Sequence, residues 1–161
     1  MSRKPVSFEQ LVVEGEARII LTGMSNVGKS YRAEDLEKNA GFVGTDIDGK
    51  VETKLQGVMS VDGVEATGIA AVAQWMGSPH ANDLQAREQF SSRQQRYLDL
   101  ETQEYHDIIA RPGMPFNNVI DTTGSFVHCP ERTQRKLART GVVVYLEARA
   151  QDYEEMTELY L

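Results

Sequence analysis

Apolar residues in this chain follow two rhythms. Short continuous runs such as Arg18-Ile19-Ile20-Leu21 and Val142-Val143-Val144-Tyr145-Leu146 do not alternate with polar residues, the pattern of strands covered on both faces. Phe42-Val43-Gly44-Thr45 and Asn117-Asn118-Val119-Ile120-Asp121 read as two further strands, each leading into a carboxylate. Between these runs the spacing is helical. A helix is expected over about Gly28 to Lys38, closed by Asn39-Ala40-Gly41 with Gly41 in the left-handed position. Helical pieces follow between Lys50 and Trp75, broken around Val61-Asp62-Gly63. The longest helix begins near Asn82, with Asn82 and Gln85 as a capping-box-like pair, and is stopped by Arg111-Pro112-Gly113. Phe90, Tyr97, Leu98, Glu101, Tyr105, Ile108 and Ile109 fall near one face of it, its Tyr and Phe residues reading as core packing; Trp75 and Met76 read as core by default, with the lining of an acceptor pocket as the alternative. Pro130 suits the first turn of a helix ending at Gly141, and Asp152 to Leu161 is again helical in spacing. Residues 1–16 read as an N-terminal extension with a short helix through Phe8, Leu11 and Val12.

The junction between the first strand and the first helix carries the chemistry. Gly23-Met24-Ser25-Asn26-Val27-Gly28-Lys29-Ser30 is a complete phosphate-binding loop, G-x-x-x-x-G-K-[ST], in the strand–loop–helix setting that the motif requires. Its glycines let backbone amides turn toward one point, and the positive end of the following helix adds to the pull on a polyphosphate. Gly23, Ser25, Asn26, Val27, Gly28, Lys29, Ser30 and Tyr31 are the expected nucleotide-binding residues, with Lys29 reaching the β- and γ-phosphates and Ser30 offering its hydroxyl to magnesium. Strands alternating with helices around such a loop predict an α/β class chain. The expected architecture is a three-layer P-loop NTPase fold with a mostly parallel sheet, occupying residues 17–161. Tyr153, Met156, Leu159 and Tyr160 keep helical spacing up to Leu161 with no fifth strand after them, so the last strand is expected to be missing or truncated.

Composition narrows the partners. The net charge of −7 argues against general affinity for nucleic acid or anionic membranes. No apolar run is long enough to span a bilayer, and Met1-Ser2-Arg3-Lys4-Pro5 lacks the apolar core of a secretory signal. The lone Cys129 excludes an intrachain disulfide and fits a reducing, cytoplasmic setting. His80, His106 and His128 have no metal-ligand spacing, and Arg132, Arg135, Lys136 and Arg139 read as a solvated helix face.

Asp46 and Asp48 end the second predicted strand and Asp121 the third, so with the loop all three strand tips converge, where ligands bind in open α/β sheets. Ser30 with Asp46 or Asp121 suits a magnesium ion that keeps several waters. In an extended segment Asp46 and Asp48 face the same way, which lets Asp48 take a proton from an acceptor hydroxyl while Asp46 faces the metal.

The loop followed seventeen residues after Lys29 by Asp46-x-Asp48 resembles the shikimate kinase family of small-molecule kinases, over roughly Arg18 to Leu146. The resemblance implies ATP as donor, Mg2+ near Asp46, Asp48 at the acceptor hydroxyl, and Thr122, Thr123 and Gly124 in place of a Gly-Gly-Gly turn at the acceptor. It also implies a lid beyond Leu161, so the lid too is expected to be missing or truncated. The family's Phe-Arg-x-x-Glu motif is matched most nearly by Tyr97-Leu98-Asp99-Leu100-Glu101, with leucine where the arginine grips a carboxylate. Arg93 and Arg96 are the candidate substitutes. The expected acceptor is therefore a small molecule other than shikimate, and Lys29 and Asp48 are the expected catalytic pair. Two rivals share the loop. Asp121-Thr122-Thr123-Gly124 is similar to the D-x-x-G switch of small translation-type GTPases, although no Asn-Lys-x-Asp guanine motif occurs. A non-catalytic nucleotide-binding module is the other.

Overall fold

The computed structural model describes residues 6–56, 59–61, 64–65, 67–111 and 116–148. Four parallel strands, β1 (Arg18–Thr22), β2 (Val43–Asp46), β5 (Asn118–Asp121) and β6 (Val142–Tyr145), form one sheet in the order β2-β5-β1-β6. A second, two-stranded antiparallel unit joins β3 (Ser60–Val61) to β4 (Val64–Glu65), at the break expected around residue 61. Six helices complete the described fold: α1 (Phe8–Glu14), α2 (Lys29–Ala40), α3 (Ile47–Leu55), α4 (Ile69–Met76), α5 (Leu84–Ala110) and α6 (Glu131–Ala138).

The unalternating strands have a direct explanation. Ile20 and Ile120 face a core built with Ile47, Val51, Leu55, Trp75, Tyr97, Tyr105, Ile108 and Leu137 from α3 to α6. Ile19, Leu21 and Val119 face the other way, into a smaller core with Ala33 and Phe42, against which Phe8, Leu11, Val12 and Leu36 pack. With helices on both faces, every position of β1's centre and of β5 is buried. Residues 8–14 are thus part of the packed unit, tied to it by Asn117, which donates to the Val12 carbonyl (2.9 Å) and accepts from the Ala17 amide (3.1 Å). The edge strands differ. Val142 to Tyr145, β-branched and apolar, are exposed in β6.

Several boundaries move for local reasons. Asp83, not Asn82, caps α5: its carboxylate accepts from the amides of Gln85 (3.2 Å) and Ala86 (3.3 Å), so Gln85 does not close a capping box with Asn82. Gly41 ends α2 at φ 68, as its position predicts. α6 stops at Ala138 with Arg139 as its cap, short of Gly141, whose Cβ would press on the Arg18 carbonyl at 2.5 Å across the sheet. The expected C-terminal helix from Asp152 and the missing strand beyond it lie outside the described residues, as do Pro112 and Gly113. Among the described residues no helix is long and apolar enough to cross a membrane.

Candidate nucleotide and acceptor site

Because all four strands run parallel and in register, their C-terminal ends meet on one edge. Asp46 is the Cα partner of Asp121, and Asp121 of Leu21. The phosphate loop leaves that edge between β1 and α2. Gly23 sits at φ 146, Asn26 at φ 61 and Gly28 at φ 93, three positive-φ positions within one short loop, the kind of backbone from which anion-binding concavities are built. A side chain at Gly23 would collide with the Leu146 carbonyl oxygen, and Gly28 needs its positive φ to start the helix. Among the described residues, none of the amides from Gly23 to Gly28 donates to another backbone carbonyl. These donors remain for an anion.

Lys29 is buried at the helix start and folds back along the loop, its ammonium donating to the carbonyls of Gly23 (3.1 Å) and Met24 (2.9 Å). Burial lowers its pKa, while Asp121 and Asp48 pull it back up. Ser30 Oγ donates to Asp121 Oδ2 at 2.6 Å. Asp121 is buried, and its other oxygen, Oδ1, has no hydrogen-bond partner. An orphaned buried carboxylate oxygen beside an exposed serine hydroxyl fits a hydrated divalent cation, and Ser30 with Asp121 are the residues that fit it best. Burial raises the Asp121 pKa, opposed by the Ser30 hydrogen bond and Lys29. Asp46, exposed at the tip of β2, faces a cleft of about 200 Å³ shared with Ser30, Glu34, Thr45 and Asp121. Among the described residues, no three acidic, His or Cys side chains gather tightly enough to hold a metal unaided. Tyr31 stands exposed on α2 with the Arg32 guanidinium over its ring at 5.6 Å.

The Asp46-Ile47-Asp48 geometry corrects the extended-segment expectation. Asp46 is the last residue of β2 and the N-cap of α3, whereas Asp48 lies in the first helical turn, so the two carboxylates are not neighbours on one face of a strand. The chain turns here because Ile47 is drawn fully into the core. Gly49 permits the turn: a Cβ there would approach Asp46 Oδ2 to 2.6 Å. Asp48 is half-buried and accepts from the Tyr97 hydroxyl at 2.5 Å. Burial raises the Asp48 pKa, the Tyr97 bond lowers it, Asp46 raises it and Lys29 lowers it again. The phenol of Tyr97 is pushed well up, first by burial and then by Asp48, so it stays a donor.

Thr122 and Thr123, expected at an acceptor, are committed inside the protein. Thr122 Oγ1 donates to the Leu21 carbonyl (2.8 Å), and Thr123 Oγ1 donates to the carboxylate of Glu101. Gly124 lies against the phosphate loop itself: a Cβ would overlap Ser25 Oγ and come within 3.0 Å of the Ser25 amide nitrogen. Leu98 is half-buried, and Arg93 is spent on Trp75, donating to its carbonyl with its guanidinium 5.4 Å from the indole centre. Arg96 is exposed. The sequence places Tyr97 and Glu101 near one face of α5, with Tyr97 as core packing; their spacing of four is visible there, but not the polar partners they reach. A cleft of about 220 Å³ at the opposite end of the strands, near Glu16, Arg18 and Thr140, holds none of these groups.

No family model matches the chain, and none of the curated proteins matches it in sequence. Solved structures do. A shikimate kinase from Aquifex aeolicus vf5 aligns with a TM-score of 0.53 at 17% identity, covering 89% of this chain and 75% of that one. A shikimate kinase from Acinetobacter baumannii, in complex with shikimate, aligns at 0.50 with 19% identity, covering 89% of this chain and 65% of that one. This chain shares the fold of these two shikimate kinases. The chain spans three quarters of the first protein's length and slightly under two thirds of the second's. In this fold the loop of residues 23–30, the β5 tip and the start of α3 share one edge of the sheet.

Proposed function

We propose that this protein is an ATP- and magnesium-dependent phosphotransferase that moves the γ-phosphoryl group to a hydroxyl of a small molecule. The observation that carries the reading is the convergence of three parts at one sheet edge: the loop with Lys29, the Ser30–Asp121 pair with its unpartnered oxygen, and Asp48 held by Tyr97. Phosphoryl transfer asks mainly for positioning and charge stabilisation. The loop amides and Lys29 grip the β- and γ-phosphates. Ser30 and Asp121, with Asp46 at the cleft mouth, would hold magnesium, which would supply charge neutralisation on those phosphates. Asp48 orients the acceptor hydroxyl and takes its proton as the new O–P bond forms and the bond to ADP breaks. Thr122 and Thr123 shape the turn and Gly124 backs the loop, leaving Asp48 as the acceptor-side contact. Leu98 and the engaged Arg93 offer no cation to a carboxylate, which supports an acceptor other than shikimate.

Calorimetric titration with ATP and with GTP, each with magnesium, tests this reading. ATP preference is expected, with Asp48→Asn retaining ATP affinity but losing phosphoryl transfer to water or added alcohols. The contact of Gly124 with the loop also suits a D-x-x-G switch, and GTP preference would select that reading instead. Binding without turnover would leave a nucleotide-binding module.

A further inference from the structure

Glu101 lies one helical turn beyond Tyr97 on α5 and is fully buried. Its carboxylate accepts from three hydroxyls: Thr123 Oγ1, Ser125 Oγ at 2.8 Å and Tyr105 Oη at 3.2 Å. Tyr105 Oη in turn accepts from the Thr123 amide at 3.3 Å. Among the described residues no lysine or arginine pairs with Glu101; the nearby α5 acid that does have cations is Glu104, with Lys54 at 2.5 Å and Lys50 at 3.6 Å. A buried carboxylate without a cation is costly, and burial raises its pKa. An apolar residue would fill the same space more cheaply, so the carboxylate's return is to be sought in what it holds.

Thr123 and Ser125 flank Gly124, and Gly124 is the residue that abuts Ser25 of the phosphate loop. Asp121, at the start of the same segment, makes the second contact with the loop region through Ser30. The segment 121–125 therefore backs the loop at two points, and Glu101 fixes the end of the segment that β5 does not. We propose that Glu101 is a positioning residue for the phosphate loop: by clamping Thr123 and Ser125 it seats Gly124 against Ser25 and holds the loop amides in their anion-binding arrangement. The inference rests on the nucleotide-binding half of the proposed function and is independent of the acceptor.

MgADP is the probe, since its binding needs no turnover, and calorimetry on the whole chain is the assay. Losing charge-assisted hydrogen bonds in Glu101→Gln is expected to weaken MgADP by about tenfold while far-UV circular dichroism and cooperative unfolding are kept. Ser125→Ala, a milder change that leaves the carboxylate in place, is expected to cost about threefold. Gly124→Ala is expected to cost at least about tenfold, and adding Ser25→Gly, which removes the side-chain oxygen and carbon its Cβ would strike and leaves only the amide nitrogen at 3.0 Å, is expected to recover part of that loss. A role confined to stability would lower the melting temperature without this rescue of affinity. Wild-type affinity in folded Glu101→Gln overturns the proposal, as does wild-type affinity in Ser125→Ala where Glu101→Gln does not fold, or failure of Ser25→Gly to rescue Gly124→Ala. If the unaltered protein does not bind MgADP, the nucleotide assignment itself falls; if it does and these variants match it, only the role of Glu101 falls.

Discussion

Replacing Tyr97 with phenylalanine removes one oxygen atom and keeps the ring that fills the core beside Val51 and Leu55. The lost group is the donor to Asp48 Oδ1 at 2.5 Å, on a carboxylate already half-withdrawn from water. A hydrogen bond to a charged group contributes about 1.5 to 3 kcal/mol, and a neutral one about 1. The destabilisation should therefore depend on pH. Burial raises the folded-state pKa of Asp48 above its ordinary value, and the Tyr97 bond partly counters this. A raised carboxylate pKa means that the native state binds more protons than the unfolded state over the interval between the two values, so stability falls as pH rises through that interval. Without Tyr97 the folded pKa climbs further and the fall is larger. In urea unfolding of metal-free protein, Tyr97→Phe should cost about 1 kcal/mol near pH 3 and about 2 to 3 kcal/mol near pH 7. A cost that is flat across that range, or below about 0.5 kcal/mol throughout, would refute the reasoning.

Lys29→Ala should abolish measurable MgATP binding in calorimetry while unfolding remains cooperative, because the ammonium bonds only to loop carbonyls and packs no core; unchanged affinity would sink the loop assignment. Glu101→Gln should change the pH dependence of stability. Burial raises the Glu101 pKa, so wild-type stability contains a contribution that is full below the unfolded value of about 4.3 and lost as pH rises through the folded value. Urea unfolding curves should show that decline in the wild type and not in the glutamine variant, and parallel profiles would contradict it. Leu137→Ala, at a fully buried position of α6, should cost about 2 to 5 kcal/mol in the same assay, and a loss under 1 would mean that α6 is not docked as described.

Local features were legible where one short segment sufficed. The phosphate loop announces itself because its glycines, lysine and serine must stand at fixed offsets, and the left-handed angles at Asn26 and Gly28 follow from it. The capping of α5 was misread by one residue because Asn82 and Asp83 are both good caps, and only the path of the preceding chain chooses between them. Asp46-Ile47-Asp48 reads as extended because nothing in those three letters reveals that the strand gives way to a helix at the buried Ile47.

By itself, the order of amino acids determined that a buried parallel strand would feed a phosphate-binding turn, since unalternating apolar residues and invariant spacing are properties of a single stretch of chain. It did not determine which strand lies beside which: β5 inserts between β1 and β2, and that placement brings Asp121 to Ser30 across ninety-one positions. Nor did it disclose that Tyr97 and Glu101, regular members of an apolar helical face, point their polar ends at Asp48 and Thr123. Those meetings depend on where α5 lies, and its place is set by packing against α3, α4 and α6 together, not by any one segment.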